Sequence, residues 1–358
     1  MTDGRKIGRA QLFAIFFISR VTALFTFIAP RTTPFEPGDR LLLFFSFFMF
    51  SALFAVPVFL VTKNGSSITS ATDRLSPVLT KALAAVYIAA LLWNAGVSTA
   101  KFELFMTTAM FSGAVLLPFT ALMLLACVYI ALKGTQTIGR CCTVVLAAFF
   151  LSVAAIIAST LGDFDILNLT PPLRDGVLPV LKNGFAAAAR TPEAGVLLFI
   201  QPEVNGKIRK SYLAWLAVFG LFAAAALTVI AGITGRYGDE QMFSLYALTV
   251  LAKFGPFEKA DDVLTGLWVL CSMFRTAFYI ALTAGIANRV FQIKNKILTY
   301  FISGACVLCV YFLLSQSVEL LSGVLSSGIN ELLFTLLAGI VPLGVYAACR
   351  RKSAPGQP

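Results

Sequence analysis

The sequence has no histidine in 358 residues. That removes imidazole metal ligands, Ser-His nucleophile pairs and histidine proton relays together, leaving Glu, Asp, Tyr and Lys for any proton chemistry. Charge is scarce as well: 13% of the residues are Asp, Glu, Lys or Arg, against roughly 25% in a soluble domain. The stretches between apolar runs are too short to hold a catalytic domain, and no two carboxylates pair on one helix face. No metal-ligand cluster is present and no cofactor is expected. These absences argue against an enzyme. The seven cysteines (Cys127, Cys141, Cys142, Cys271, Cys306, Cys309 and Cys349) fall within apolar runs or at their ends, so an extracellular disulfide framework is absent. Cys306 and Cys309 form a C-x-x-C, but no basic or imidazole neighbour depresses a thiol pKa, and they read as small packing residues.

What fills the chain is apolar sequence. It is 58% hydrophobic, Phe alone supplies 33 residues, and the mean hydropathy is +0.86. A helix crossing the ~30 Å hydrocarbon layer needs about 20 mostly apolar residues. Ten runs qualify: 11–29, 41–62, 80–99, 113–132, 142–160, 184–205, 211–233, 264–287, 298–320 and 332–348. The expectation is an all-α polytopic membrane protein of ten transmembrane helices, a single transmembrane domain over residues 1–358 in contact with membrane lipid. The first run follows a basic segment, as a secretory signal would. Arg20 breaks it and no small-residue cleavage site comes before Pro30, so it reads as an uncleaved helix.

Basic residues give the orientation, because Lys and Arg stay on the cytoplasmic side. With the N-terminus inside, segments 5–9, 63–81, 133–140, 207–210, 289–296 and 350–352 hold 17 of the 28 Lys and Arg. The opposite side holds nine, in 31–40, at Lys101, in 174–190 and in 236–259, together with most of the acids. Both termini are expected in the cytoplasm, with 161–183 and 235–263 outside. The net charge of +11 is spread over these segments and forms no single patch, which excludes nucleic acid as a partner.

Ten spans divide as five plus five, and an odd number per half gives two halves of opposite orientation, the inverted-repeat arrangement of transporters. The first repeat covers about 10–160, an outer linker 161–183, the second repeat about 184–349, and a cytoplasmic tail 350–358. In such folds the first helix of each half is interrupted at the midplane. Here those two helices carry intramembrane charge, in Ser19-Arg20-Val21-Thr22 and Thr191-Pro192-Glu193-Ala194-Gly195. Breaks are expected at both, facing each other.

Any function must come from polar groups at membrane depth. Arg20 lies about 10 residues into its span, roughly 15 Å deep, where a charge costs at least about 2.5–3.5 kcal/mol. It reads either as a clamp for a ligand carboxylate or as half of an ion pair with Glu193. Glu193, between Pro192 and Gly195, is a candidate acceptor for a ligand ammonium or a proton, or a helix-start carboxylate favoured by the dipole. Trp268, Cys271, Ser272, Arg275 and Tyr279 share one helical face that points inward. Tyr87, Leu91, Asn94 and Ser98 share another, offering hydrogen bonds to a ligand or across helices. The candidate ligand-binding residues are Ser19, Arg20, Thr22, Tyr87, Asn94, Glu193, Gly195, Trp268, Ser272, Arg275 and Tyr279, with no metal site.

Several segments, in order, resemble the spore germination permeases, the B subunits of nutrient germinant receptors within the amino acid–polyamine–organocation transporter superfamily. They are Ile7-Gly8-Arg9-Ala10-Gln11-Leu12-Phe13, the loop Tyr129–Arg140 with Gly134 and Arg140, Val177-Leu178-Pro179-Val180-Leu181-Lys182-Asn183-Gly184, Pro192-Glu193 with the apolar run to Pro202, and Phe257–Asp261 leading to Gly266-Leu267-Trp268. Many relatives have glycine where this chain has Arg20 or Val21. The resemblance implies a receptor subunit in the spore inner membrane that binds a small nutrient, an amino acid, at the midplane. It also implies partners: a membrane subunit with a cytoplasmic domain and a lipoprotein subunit. An ordinary amino-acid permease of the same fold is the alternative. Some superfamily members place a lysine in the fifth helix for coupling; residues 142–160 hold none, which favours a receptor over a pump.

Overall fold

With no water in the hydrocarbon layer, every backbone N–H and C=O must be satisfied within the chain, and apolar runs of this length do so as helices. The computed structural model describes residues 6–25, 37–63, 67–110, 117–206, 208–240, 243–252 and 261–353. The end of the first apolar run, the start of the fourth and residues 257–260 of the approach to the eighth lie outside them.

The helices are α1 (Arg9–Phe25), α2 (Arg40–Val61), α3 (Ile68–Asp73), α4 (Pro77–Phe105), α5 (Leu117–Leu132), α6 (Thr135–Thr160), α7 (Val177–Ala189), α8 (Glu193–Ile200), α9 (Ile208–Glu240), α10 (Ser244–Leu251), α11 (Asp261–Phe291), α12 (Lys296–Leu314), α13 (Val318–Ser326), α14 (Ile329–Thr335) and α15 (Val341–Ser353). A wider π-type turn, Leu336–Ile340, joins α14 to α15. Among the described residues, seven helical segments are long and apolar enough to cross a membrane: Leu42–Val61, Pro77–Thr108, Thr135–Asp163, Ile208–Gly235, Asp262–Phe291, Lys296–Leu314 and Ile329–Arg351. The protein is an all-helical, multi-pass membrane protein. Leu117–Leu132 is apolar but shorter, α1 has 17 residues, and the sixth run is divided between α7 and α8.

Local chemistry sets the ends. Pro77 opens α4, where its missing N–H would have no intrahelical partner anyway. Ser67 caps α3 through a capping box with Ser70. Gly134, at φ +89, makes the tight turn from α5 to α6 that a side chain would resist. The ninth run differs from its expected extent: α12 stops at Leu314, and Ser317 instead caps the separate α13, accepting from Leu320 N–H at 3.0 Å. Serine in Ser315-Gln316-Ser317 favours a cap over continuing the helix.

Two segments occupy the centre. From Ala14 to Thr22 every residue of α1 is buried, as is every residue from Thr191 to Ile200. A helix buried on all sides lies in the core of a bundle. Phe16 and Phe17 of α1 pack against Trp215, Phe219 and Phe222 of α9 and Phe150 of α6, at ring separations of 4.9–5.5 Å. Small residues let other helices close in: a side chain at Gly96 of α4 would strike Val310 of α12, and one at Gly184 of α7 would strike Ser46 of α2. The outer faces carry exposed Phe45, Leu53, Leu122, Leu151, Leu221 and Leu313, an apolar surface suited to lipid.

One expectation is corrected. The break expected at Ser19–Thr22 is not there, for α1 is continuous from Arg9 to Phe25. Ser19, Arg20, Val21 and Thr22 all keep a backbone N–H, and none requires a left-handed conformation. The Thr22 hydroxyl returns to the Ile18 carbonyl at 2.8 Å, a back-bond that helices tolerate.

Candidate ligand-binding site

The chain leaves helical geometry between Ala189 and Glu193. Pro192 has no N–H to continue the ladder, and its ring disfavours helix in the residue before it. The Ala186 and Ala188 carbonyls still accept from the N–H groups of Arg190 and Thr191, and Ala187 accepts from the Thr191 hydroxyl at 3.0 Å, while this helix end carries partial negative charge. Arg20, 8% exposed, adds two charged donors there. Its Nη1 donates to the Arg190 carbonyl at 2.9 Å and its Nη2 to the Ala187 carbonyl at 2.8 Å. Its guanidinium carbon lies 5.9 Å from the centre of the Phe47 ring. The ion pair between Arg20 and Glu193, one of the two sequence readings, is not formed: Nη1 and Nη2 donate to backbone carbonyls, and Nε is buried without a hydrogen-bond partner.

Glu193 is the first residue of α8 and 1% exposed. Helix N-termini favour a carboxylate. Its Oε1 accepts from Ser19 Oγ at 3.0 Å, whereas its Oε2 is buried with no hydrogen-bond partner. Two residues on, Gly195 is buried, yet a methyl group there would meet no atom within 4 Å beyond its own helix backbone. The first turn of α8 thus holds a buried carboxylate oxygen without a donor and, on another face of the helix, a buried glycine with open space at its Cβ position.

From Ser19 the polar contacts continue into α11 and α4. Ser19 Oγ is 3.3 Å from Tyr279 Oη, and the Tyr279 ring lies under Arg275, 5.6 Å from its guanidinium carbon. Arg275 donates through Nη2 to Asn94 Oδ1 at 2.8 Å and through Nη1 to Ser98 Oγ, while its Nε has no partner. Four helices therefore contribute to one buried series, Glu193–Ser19–Tyr279–Arg275–Asn94/Ser98. Ser272 and Thr276, 0% and 1% exposed on the same side of α11, hold hydroxyls without partners.

Of the eleven candidates, the structure brings Ser19, Arg20, Asn94, Glu193, Gly195, Ser272, Arg275 and Tyr279 into this region of α1, α4, α8 and α11, and leaves three elsewhere. Tyr87 donates to the Leu337 carbonyl at 2.5 Å, at the π-type turn, and meets Phe199 of α8 edge-on at 4.9 Å. Trp268 stacks on Phe105 at 4.9 Å, about three helical turns from Tyr279. Thr22 bonds within its own helix. Thr276 was absent from the sequence candidates although it lies four residues after Ser272 on the same face. The Tyr212 hydroxyl and Trp215 Nε1, buried and without partners, were missed because their run reads as uniformly apolar.

A sequence model described as spore germination protein matches residues 40–319. This chain belongs to the spore germination protein family. The match takes in α2 through the start of α13, and so Asn94, Glu193, Gly195, Arg275 and Tyr279; Ser19 and Arg20 precede it. The chain is also similar to Spore germination protein KB of Bacillus subtilis (strain 168), with 24% identity over 257 residues, 66% of this chain and 67% of that protein.

Proposed function

We propose that this protein is the membrane-embedded subunit of a spore nutrient-germinant receptor and binds a small amino acid beside Glu193. The observation that carries the reading is Glu193 Oε2, buried and unpartnered in the core of the bundle. A buried acceptor without a donor is costly, and a ligand ammonium relieves that cost with a charge-assisted bond. Arg275, whose Nε lacks a partner, suits the ligand carboxylate. Arg20 acts as a positioning residue that holds the end of α7. Ser272 and Thr276 provide further hydrogen bonds near the same face.

The same reading has ten crossings, with α1, α5 and the α7–α8 pair joining the seven longer spans in two inverted halves. Both termini face the cytoplasm in the spore inner membrane. The subunit works without catalysis, passing occupancy to a membrane subunit with a cytoplasmic domain and to a lipoprotein.

The test is a nutrient dose–response in spores carrying Glu193→Gln, with receptor abundance measured in parallel. Loss of a charge-assisted bond costs about 1.5–3 kcal/mol, so ~10–150-fold more nutrient is expected at normal abundance. A normal response would remove Glu193 from the site. Concentrative uptake of labelled amino acid by vesicles holding this protein alone would replace the receptor reading with a permease.

A further inference from the structure

We propose that the protein carries a second ligand site, for a small ammonium-bearing molecule, in a pocket where α4, α5, α12 and α13 meet. The pocket has a volume of about 390 Å3, within the roughly 300–1,000 Å3 of small-molecule sites. Leu104, Phe312 and Leu321 give it apolar walls, and Glu103, Thr107 and Gln316 add polar groups.

Among the described residues that line it, Glu103 is the one with a charged side chain, and none is Lys or Arg. Tyr311, 1% exposed, donates from its hydroxyl to Glu103 Oε1 at 2.6 Å. That bond fixes the carboxylate without exhausting it, since two carboxylate oxygens offer about four acceptor positions. A fixed anion at the edge of an apolar cavity selects an ammonium on an apolar body. An anion would be repelled, and a neutral alkane would leave the carboxylate without a donor.

The pocket is separate from the central series. Glu103 lies five residues beyond Ser98 on α4, about 7.5 Å along the helix axis, and its side chain bonds to α12 and not to α11. It sits past the apolar core of α4 and close to the end of that helix. A primary amine can arrive there from two sources, a phosphatidylethanolamine headgroup or a soluble alkylamine.

The experiment measures butylamine binding by calorimetry to the full-length protein in phosphatidylglycerol nanodiscs. Glu193→Gln serves as the background, so that the central site cannot supply the carboxylate. One saturable site is expected. Glu103→Gln should weaken it roughly tenfold or more while keeping an acceptor for Tyr311, and Leu321→Trp should block it by filling the cavity. Butanol should not compete. Replacing half of the phosphatidylglycerol by phosphatidylethanolamine separates the sources. Weaker apparent binding assigns the pocket to the headgroup, and unchanged binding assigns it to a soluble amine. The proposal is overturned if no saturable binding is seen, or if Glu103→Gln binds butylamine as tightly as its parent with an unchanged melting curve. Either result leaves the nutrient response of Glu193→Gln, and the reading that rests on it, untouched.

Discussion

Ser19 on α1 donates its hydroxyl to Glu193 at the start of α8, with 3.0 Å between Oγ and Oε1. A hydroxyl has one proton to give. With that proton on Glu193, Ser19 is left to accept from Tyr279, 3.3 Å away. One serine therefore sets the direction of the hydrogen bonds from α11 through α1 to α8. It satisfies half of the carboxylate and leaves the other oxygen buried without a donor. The same two helices are joined at their far ends by backbone alone. Ile7 N donates to the Glu203 carbonyl at 2.7 Å and Asn205 N to the Ile7 carbonyl at 2.9 Å. Glu203 also pairs with Arg289 at 2.8 Å, so the end of the α8 segment is tied to the end of α11.

Arg20→Met should destabilise the protein. Methionine keeps the length and apolar stem but removes both guanidinium donors, leaving Ala187 with the Thr191 hydroxyl and the Arg190 carbonyl without its side-chain donor. A buried group left unpaired costs about 1–3 kcal/mol. The expected outcome is a lower thermal midpoint in detergent, partly recovered in Arg20→Lys, with unchanged nutrient sensitivity per folded receptor. A wild-type melt combined with a shifted dose–response would show that Arg20 grips the ligand and does not serve as a cap.

Gly195 separates space from stability. Gly195→Ala adds a methyl group where nothing lies within 4 Å and removes a helix-interior glycine, worth roughly 0.5–1 kcal/mol in favour of folding. It should melt at or above the wild-type temperature. Gly195→Leu should reach into the same space, fold, and raise the nutrient needed for germination by tenfold or more (about 1.4 kcal/mol). A Gly195→Leu spore with a normal dose–response would show that ligand does not occupy this space.

Orientation can be read on exposed residues. Arg74 and Asp175 are both exposed, and the basic bias places them on opposite sides of the membrane. In a background without reactive native cysteines, Asp175→Cys should react with an impermeant maleimide on intact cells, and Arg74→Cys only after permeabilisation. The reverse pattern would invert the topology.

Composition alone determined the class. Helices form wherever about 20 apolar residues run together, because lipid leaves the backbone no other partner, and that depends on sequence order and not on packing. The family was legible for the same local reason, in short segments such as Tyr129–Arg140 and Pro192–Pro202. What Arg20 does was not legible. Its partners lie 167 and 170 residues away, and which atoms meet depends on how α1 is rotated and shifted against α7. Sequence offered a carboxylate as the obvious partner for a guanidinium, and the fold supplied backbone carbonyls at the end of a helix. The break expected in α1 failed similarly. A buried charge says that a residue must face protein, but not that its helix must open to accommodate it. That Arg275 is the partner of Ser98, the Tyr311–Glu103 bond and the open space at Gly195 belong to the tertiary structure too. Each depends on the register between helices distant in sequence, which is set by close packing of side chains, and hydropathy carries no record of it.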